Sequence, residues 1–310
     1  MRTVTEETTI KEVIEAVKME AYGYLVDPDM RPDEDAGEEE RKHWDEVLRG
    51  RSFGALTVGE TEKLFPSWNV PSMVEGLSYL LERTGQGELV YPVWTPEEEA
   101  GMGPCKPALM AFPLKEKSPF VLICPGGGYG NVCSIAEGFP LAKEINELGY
   151  GAFILYYRVG EEAKAPSPQE DVARAVRFLL DHAEEFHLET EGYAVMGFSA
   201  GGHLAASFGT EGLGWKKYGL PKPGALILGY PVITMKEATH GGSRHNLLGS
   251  ERENDETYQR LYSVEEQVTK EFPRTYVWQC EADNCVPAVN SRLLTERLSD
   301  FGIPFEHEVF

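Results

Sequence analysis

The hydrophobic rhythm of the chain changes near Leu89. Before that point apolar residues recur at helical spacing in two places. Ile10, Val13, Ile14 and Val17 fall on one face of a helix predicted over residues 9–19. Ser72 and Glu75 form a capping-box pattern ahead of Val74, Leu77, Leu80 and Leu81, which predicts a second helix starting there. Between the two lies the acidic run 27–40, broken by Pro28 and Pro32, the pattern of a solvated loop. Residues 1–86 therefore read as a helical extension, either a cap over a site or a segment packed on the rest.

From Leu89 onward, short apolar runs alternate with helical patterns. Strands are predicted at 89–94, 108–114, 120–124, 151–157, 193–198, 225–230, 275–279 and 305–310. Helical patterns fall at 141–148, 167–180 and 287–301; the second opens on Ser167 as N-cap, Pro168 in the first turn and Glu170 as the capping acid. The runs FVLIC and GAFILYY are apolar throughout, as strands buried on both faces are. Such alternation predicts an α/β fold over 87–310, a mostly parallel sheet with helices on both faces.

Composition adds exclusions. Asp and Glu number 51 against 29 Lys and Arg, a net charge of −22 that repels phosphate backbones, and no basic stripe offsets it, so nucleic acid is not an expected partner. No apolar run approaches the roughly 20 residues of a membrane helix. The N-terminus lacks the basic start and apolar block of a signal peptide, so the expected location is cytoplasmic. Five cysteines without a CxxC pair fit reduced thiols; Cys280 and Cys285 have no neighbours that would complete a zinc site. A homo-oligomer stays open.

Three motifs carry the chemistry. GFSAG, residues 197–201, joins the strand YAVMGF to the helix-like AGGHLAASFG. That is the setting of a nucleophile elbow, a strained strand-to-helix turn that lifts the hydroxyl of Ser199 above a sheet. The Ala200 amide at the helix start can then face a developing oxyanion. CPGGGYG, residues 124–130, follows the strand FVLIC, and its Gly127 and Gly128 amides are the expected complementary donors. A phosphate loop is disfavoured, since neither GK[ST] nor GxGxxG spacing is present. In ADNCVP, residues 282–287, Asp283 can accept an imidazole N–H and fix its tautomer, with Glu281 as the near competitor.

On PGGGYG, GFSAGGHLA, the YPV…HGGS…NLLG stretch and D-x-x-V-P at Asp283, residues from 89 onward resemble the α/β-hydrolase superfamily. The likeness is to its esterase/lipase branch of acetyl esterases and acetylxylan-esterase-like proteins. The resemblance implies a serine esterase cleaving short-chain, often acetyl, esters of small molecules, carbohydrates among them, without metal or organic cofactor. A peptidase or acylaminoacyl hydrolase of the same fold and a non-catalytic binding protein are the rival readings. Cys124 and Pro125 stand where lipases carry the first His of HGGG. In this family the catalytic histidine follows the last strand, and Phe310, the last residue, lies on that strand. The resemblance thus puts the base beyond Phe310, with His240 or His245 as the alternative and a protein without a base as the third. His203 in the elbow helix is expected to pack or cap. His43, His182 and His187 lie on unconnected segments, and His307 falls too early on the final strand.

Overall fold

Every residue of three strands is buried, which is stable only where both faces of a sheet are covered. These are β2 (Ala108–Phe112), β3 (Phe120–Cys124) and β4 (Gly151–Tyr156) of the computed structural model, which describes residues 3–17, 37–87, 89–103 and 106–310. With β1 (Val90–Pro92), β5 (Ala194–Phe198), β6 (Ala225–Gly229), β7 (Thr275–Gln279) and β8 (Phe305–Val309) they form one eight-stranded sheet in the order β1-β2-β4-β3-β5-β6-β7-β8. The pairs β1–β2 and β2–β4 are antiparallel, and every other pair is parallel. The predicted strands agree with these to within a residue or two, and β3 and β7 agree residue for residue.

The helices are α1 (Ile10–Val17), α2 (Glu38–Leu48), α3 (Val70–Thr84), α4 (Pro96–Glu99), α5 (Ser134–Glu137), α6 (Phe139–Glu147), α7 (Ser167–Asp181), α8 (Ser199–Phe208), α9 (Gly241–Leu248), α10 (Glu256–Tyr262), α11 (Val264–Gln267) and α12 (Val289–Asp300). None among the described residues is long and apolar enough to cross a membrane.

Two caps differ from expectation. The cap of α3 is Asn69, whose side chain accepts from the Ser72 amide at 3.0 Å; Pro71 occupies the first turn, so Ser72 lies inside the helix. A cap contributes about 1 kcal/mol. Burying Met73, Leu77, Leu80 and Leu81 contributes about 1.5–3 kcal/mol each, so packing, not the cap, holds α3 in place. Likewise Ser167 opens α7 behind Pro166 without a side-chain cap, and Glu170 instead pairs with Arg158 at 3.2 Å. In the acidic run, Glu38–Glu40 form the first turn of α2, where carboxylates suit the positive end of the helix dipole; residues 27–36 lie outside the described residues, as do 18 and 19 at the end of the first helix.

The N-terminal helices share one hydrophobic core with the sheet, from Val4 to Ile303. At Gly76 the contact of α3 with α6 is so close that a Cβ would fall 2.5 Å from the Pro140 nitrogen. Tyr79 and Arg83 of α3 meet Asn146 beside it.

Sheet register decides what meets at the carboxyl ends of the strands. Cys124 is opposite Gly197, Phe198 opposite Gly229 and Gly229 opposite Trp278. The loops after β3, β5, β6 and β7 therefore leave the same edge side by side, where open α/β sheets bind ligands.

Candidate active site

Ser199 stands at the end of β5 and the start of α8 with φ 50°, a left-handed conformation rare for a side-chain-bearing residue. Such strain costs about 1–3 kcal/mol and persists only where the surroundings over-determine it. Here they do. A Cβ on Gly197 would lie 2.2 Å from the Gly201 carbonyl oxygen, and one on Gly201 would lie 2.1 Å from that of Cys124. The Val232 amide donates to the Ser199 carbonyl at 3.0 Å, fixing the turn from the β6 side. Phe198 caps α8 without a side-chain acceptor, leaving the first-turn amides open.

The glycine loop packs directly on this turn: a Cβ on Gly126 would be 3.0 Å from Ser199 Cβ. The Gly126 amide donates to Glu137 Oε2 at 2.6 Å. Gly127 (φ 124°) and Gly128 (φ 62°) take conformations that favour glycine, and both line one cavity with Ser199. Among the described residues neither amide has a protein partner. Ala200 is fully buried in the first turn of α8, next to Ser199.

Asp283 lines the same cavity. Its Oδ1 accepts from the Cys285 and Val286 amides, both at 2.8 Å, and its Oδ2 from Gln279 Nε2 at 3.0 Å. Gln279, fully buried at the end of β7, is itself held by the Ser291 hydroxyl at 2.9 Å and by donating to the Val286 carbonyl. Glu281 is exposed and paired with Arg292, so the competitor is committed elsewhere. No disulfide joins Cys280 and Cys285, although both line the cavity.

Of the histidines in the described residues, only His240 lines this cavity. It caps α9, its Nδ1 accepting from the Ser243 amide at 3.2 Å, and its Cε1 is 3.5 Å from where a Gly128 Cβ would be. A ring accepting at Nδ1 carries its neutral-form proton on Nε2, which suits it to donate rather than to take a serine proton. His245 is turned to Glu253 at 2.9 Å. His203 is fully buried between the Tyr129 hydroxyl and the Tyr262 carbonyl, both at 2.7 Å, and burial pushes it down to about 4. It is a packing residue, as its place on the elbow helix suggested. His43 and His182 bond to backbone carbonyls, and His307 lies within β8.

Sequence reasoning missed Glu137, which sits between the Gly126 amide and the Tyr230 hydroxyl (2.6 Å each). Burial raises its carboxyl above the usual range, while those two donors favour the charged form. Tyr230, at φ 36°, is fixed by its backbone N–H, which donates a hydrogen bond to the Trp278 carbonyl at 2.7 Å. An acid in a four-residue helix carries no pattern that marks it. The cavity, of about 880 Å³, is lined by Ser199 and Glu137 and also by Trp44, Phe65 and Trp68 of the N-terminal extension.

A protein-family model described as BD-FAE matches residues 110–217. The endo-1,4-beta-xylanase B of Butyrivibrio fibrisolvens is 37% identical over 204 residues, 63% of this chain and 32% of that protein. The acetylxylan esterase of Xylanibacter ruminicola is 31% identical over 169 residues, 54% of this chain and 34% of that protein. The chain thus spans about a third of the length of these curated relatives. The crystal structure of an acetyl ester-xyloside bifunctional hydrolase from Caldicellulosiruptor lactoaceticus matches with a TM-score of 0.64 and 31% identity, covering 71% of this chain and 85% of that one.

Proposed function

The chain belongs to the esterase branch of the α/β-hydrolase superfamily, and on that premise we propose that it is a serine carboxylic-ester hydrolase acting on short-chain, chiefly acetyl, esters of carbohydrates. The observation that carries the reading is Ser199, held at φ 50° in one cavity with a glycine loop and Asp283. Names of relatives, an acetylxylan esterase and an acetyl ester-xyloside hydrolase, support xylan as the carbohydrate.

In this mechanism Ser199 Oγ loses its proton to an imidazole as it attacks the ester carbonyl. The Gly127, Gly128 and Ala200 amides hold the oxyanion, each such donor contributing about 2.7–4 kcal/mol to the transition state. The imidazolium returns the proton to the leaving sugar hydroxyl, and water, deprotonated by the same ring, releases acetate from the acyl-serine. Asp283 orients the ring and stabilises its charged form.

The base we propose is a histidine following Phe310. Support comes from the backbone: the Phe310 amide donates to the Gln279 carbonyl at 3.0 Å, and its carbonyl accepts from the Glu281 amide at 2.8 Å, which holds Phe310 beside the Asp283 loop. His240, with Nδ1 accepting, is the less suited ring.

The test is turnover of p-nitrophenyl acetate against pH by the wild-type protein and by Ser199→Ala and His240→Ala. Ser199→Ala is expected to lower kcat about 10⁴-fold or more. Equal rates in wild type and Ser199→Ala would leave a non-catalytic binding protein. A rate-limiting ionisation near 6.5 that survives His240→Ala supports a base after Phe310, and its loss would assign the base to His240.

A further inference from the structure

Part of the cavity wall belongs to the N-terminal extension, outside the residues that the family model matches. Trp44 from α2 and Phe65 and Trp68 from the turn before α3 line it together. The three rings brace one another. Phe65 and Trp68 are stacked with centroids 4.1 Å apart and planes 15° from parallel, and Trp44 meets Phe65 edge-on at 5.6 Å. Phe53, fully buried beneath them, presents ring edges at 6.2 and 6.3 Å. An aromatic surface so fixed loses little side-chain entropy when a ligand settles on it.

The polar groups around this surface narrow the ligand. Glu40, Glu75 and Glu144 line the wall, as do Ser67 and Ser72. The single cation lining the cavity among the described residues is Lys143, and it is shared by Glu75 at 3.2 Å, Glu147 at 2.9 Å and Glu144 at 4.0 Å, three carboxylates to one charge. Carboxylates accept hydrogen bonds from hydroxyls and repel anions within the Debye length of about 8 Å. Aromatic faces carry partial negative charge and attract the electropositive C–H groups of a saturated ring. A fatty acyl chain would leave the acids unused, and an acidic or phosphorylated ligand would be repelled. The ligand that uses both the rings and the acids is a neutral polyhydroxylated ring.

We propose that Trp44, Phe65 and Trp68, with the acidic wall beside them, form a subsite for an uncharged sugar ring on the alcohol side of the ester, so that the extension selects neutral over acidic oligosaccharides. This rests on the esterase reading for its orientation but makes a binding claim of its own. Glu40, Glu75 and Glu144 against one lysine leave the wall net negative, which carries the discrimination by charge, and Trp68 carries the affinity.

The experiment reads binding without turnover. Ser199→Ala protein is titrated with xylotetraose, which has no ester, and with tetragalacturonate at pH 7, by saturation-transfer NMR and tryptophan fluorescence. Xylotetraose is expected to bind, and tetragalacturonate to bind about tenfold or more weakly. Adding Trp68→Ala should raise the xylotetraose Kd about tenfold. Trp68→Leu, which keeps apolar bulk against Phe65 and Phe53, should do the same with an unchanged far-UV spectrum. No xylotetraose binding, or unchanged binding in the folded Trp68→Leu variant, overturns the subsite; equal affinity for the acidic tetrasaccharide overturns the charge selection. Because no hydrolysis is measured, a failed esterase assay on the wild type leaves these outcomes readable.

Discussion

Ser199 and Asp283 leave the same edge of the sheet but are held by different physics. The Ser199 turn is closed by contact. Gly197, Gly201 and Gly126 sit where any Cβ would overlap a neighbour, four of the five residues of β5 are buried, and the serine takes up a strained φ. The Asp283 loop lies between the last two strands, with exposed neighbours at Ala282, Asn284 and Cys285, and is closed by three hydrogen bonds to one carboxylate. Contacts inside a packed core allow no relaxation, whereas hydrogen bonds in a partly exposed loop contribute about 0.5–1.5 kcal/mol each. The two halves should therefore fail differently: the elbow by loss of structure, the acid loop by loss of chemistry alone.

The largest effect expected is at the acid loop. Asp283→Asn retains a carbonyl oxygen for the Cys285 and Val286 amides but turns an NH₂ toward Gln279 and the imidazole. Steady-state kinetics should give a kcat lower by about 10⁴-fold, and thermal unfolding a stability change below about 2 kcal/mol. A variant that unfolds would show that the loop, like the elbow, is part of the packed structure.

The next effect lies at the elbow. Gly201→Ala puts a methyl group 2.1 Å from the Cys124 carbonyl oxygen and 2.3 Å from that of Pro125, both backbone atoms with nowhere to go. Urea denaturation should show a loss of about 3 kcal/mol or more, with activity falling in parallel. Native stability in this variant would end the contrast drawn here.

The smallest effect is a pH dependence on the elbow side. His203 ionises near 6.5 when unfolded and is pushed down to about 4 in the fold by burial. Between those values the unfolded chain binds a proton that the folded one refuses, so stability falls as pH drops through that window, by up to about 3 kcal/mol. His203→Gln should flatten that decline in unfolding curves recorded from pH 7 to 4.

The same division governs what could be read from residues. β3 was legible to the residue because a continuous apolar run ending at Pro125 has few other uses, and β7 because Thr275, Tyr276, Val277 and Trp278 are strand-forming residue types. Ser199, Gly127, Gly128 and Asp283 were legible because tight turns restrict residue type, and the structure gathers them at one cavity. The helices α9 and α10 went unread. GGSRHNLL opens on two glycines and shows no clear apolar face, and its cap is a histidine, His240, outside the usual capping set. The Ser72 and Ser167 caps were misread for a related reason: capping patterns recur by chance, and nearby prolines and the packing of whole helices fix which residue stands at the boundary.

Sequence alone determined the strands, the elbow and the acidic, phosphate-repelling character, because each depends on neighbours within a few residues or on totals. Only the tertiary structure decided that Glu137 supports the glycine loop through Gly126, that His245 turns away to Glu253 while His240 faces the cavity, and that Trp44, Phe65 and Trp68 complete its wall. The first two are side-chain pairings across loops, 11 and 8 residues apart, and the last depends on the close approach of α3 to α6, which joins residues tens of positions apart; no periodic pattern encodes any of them.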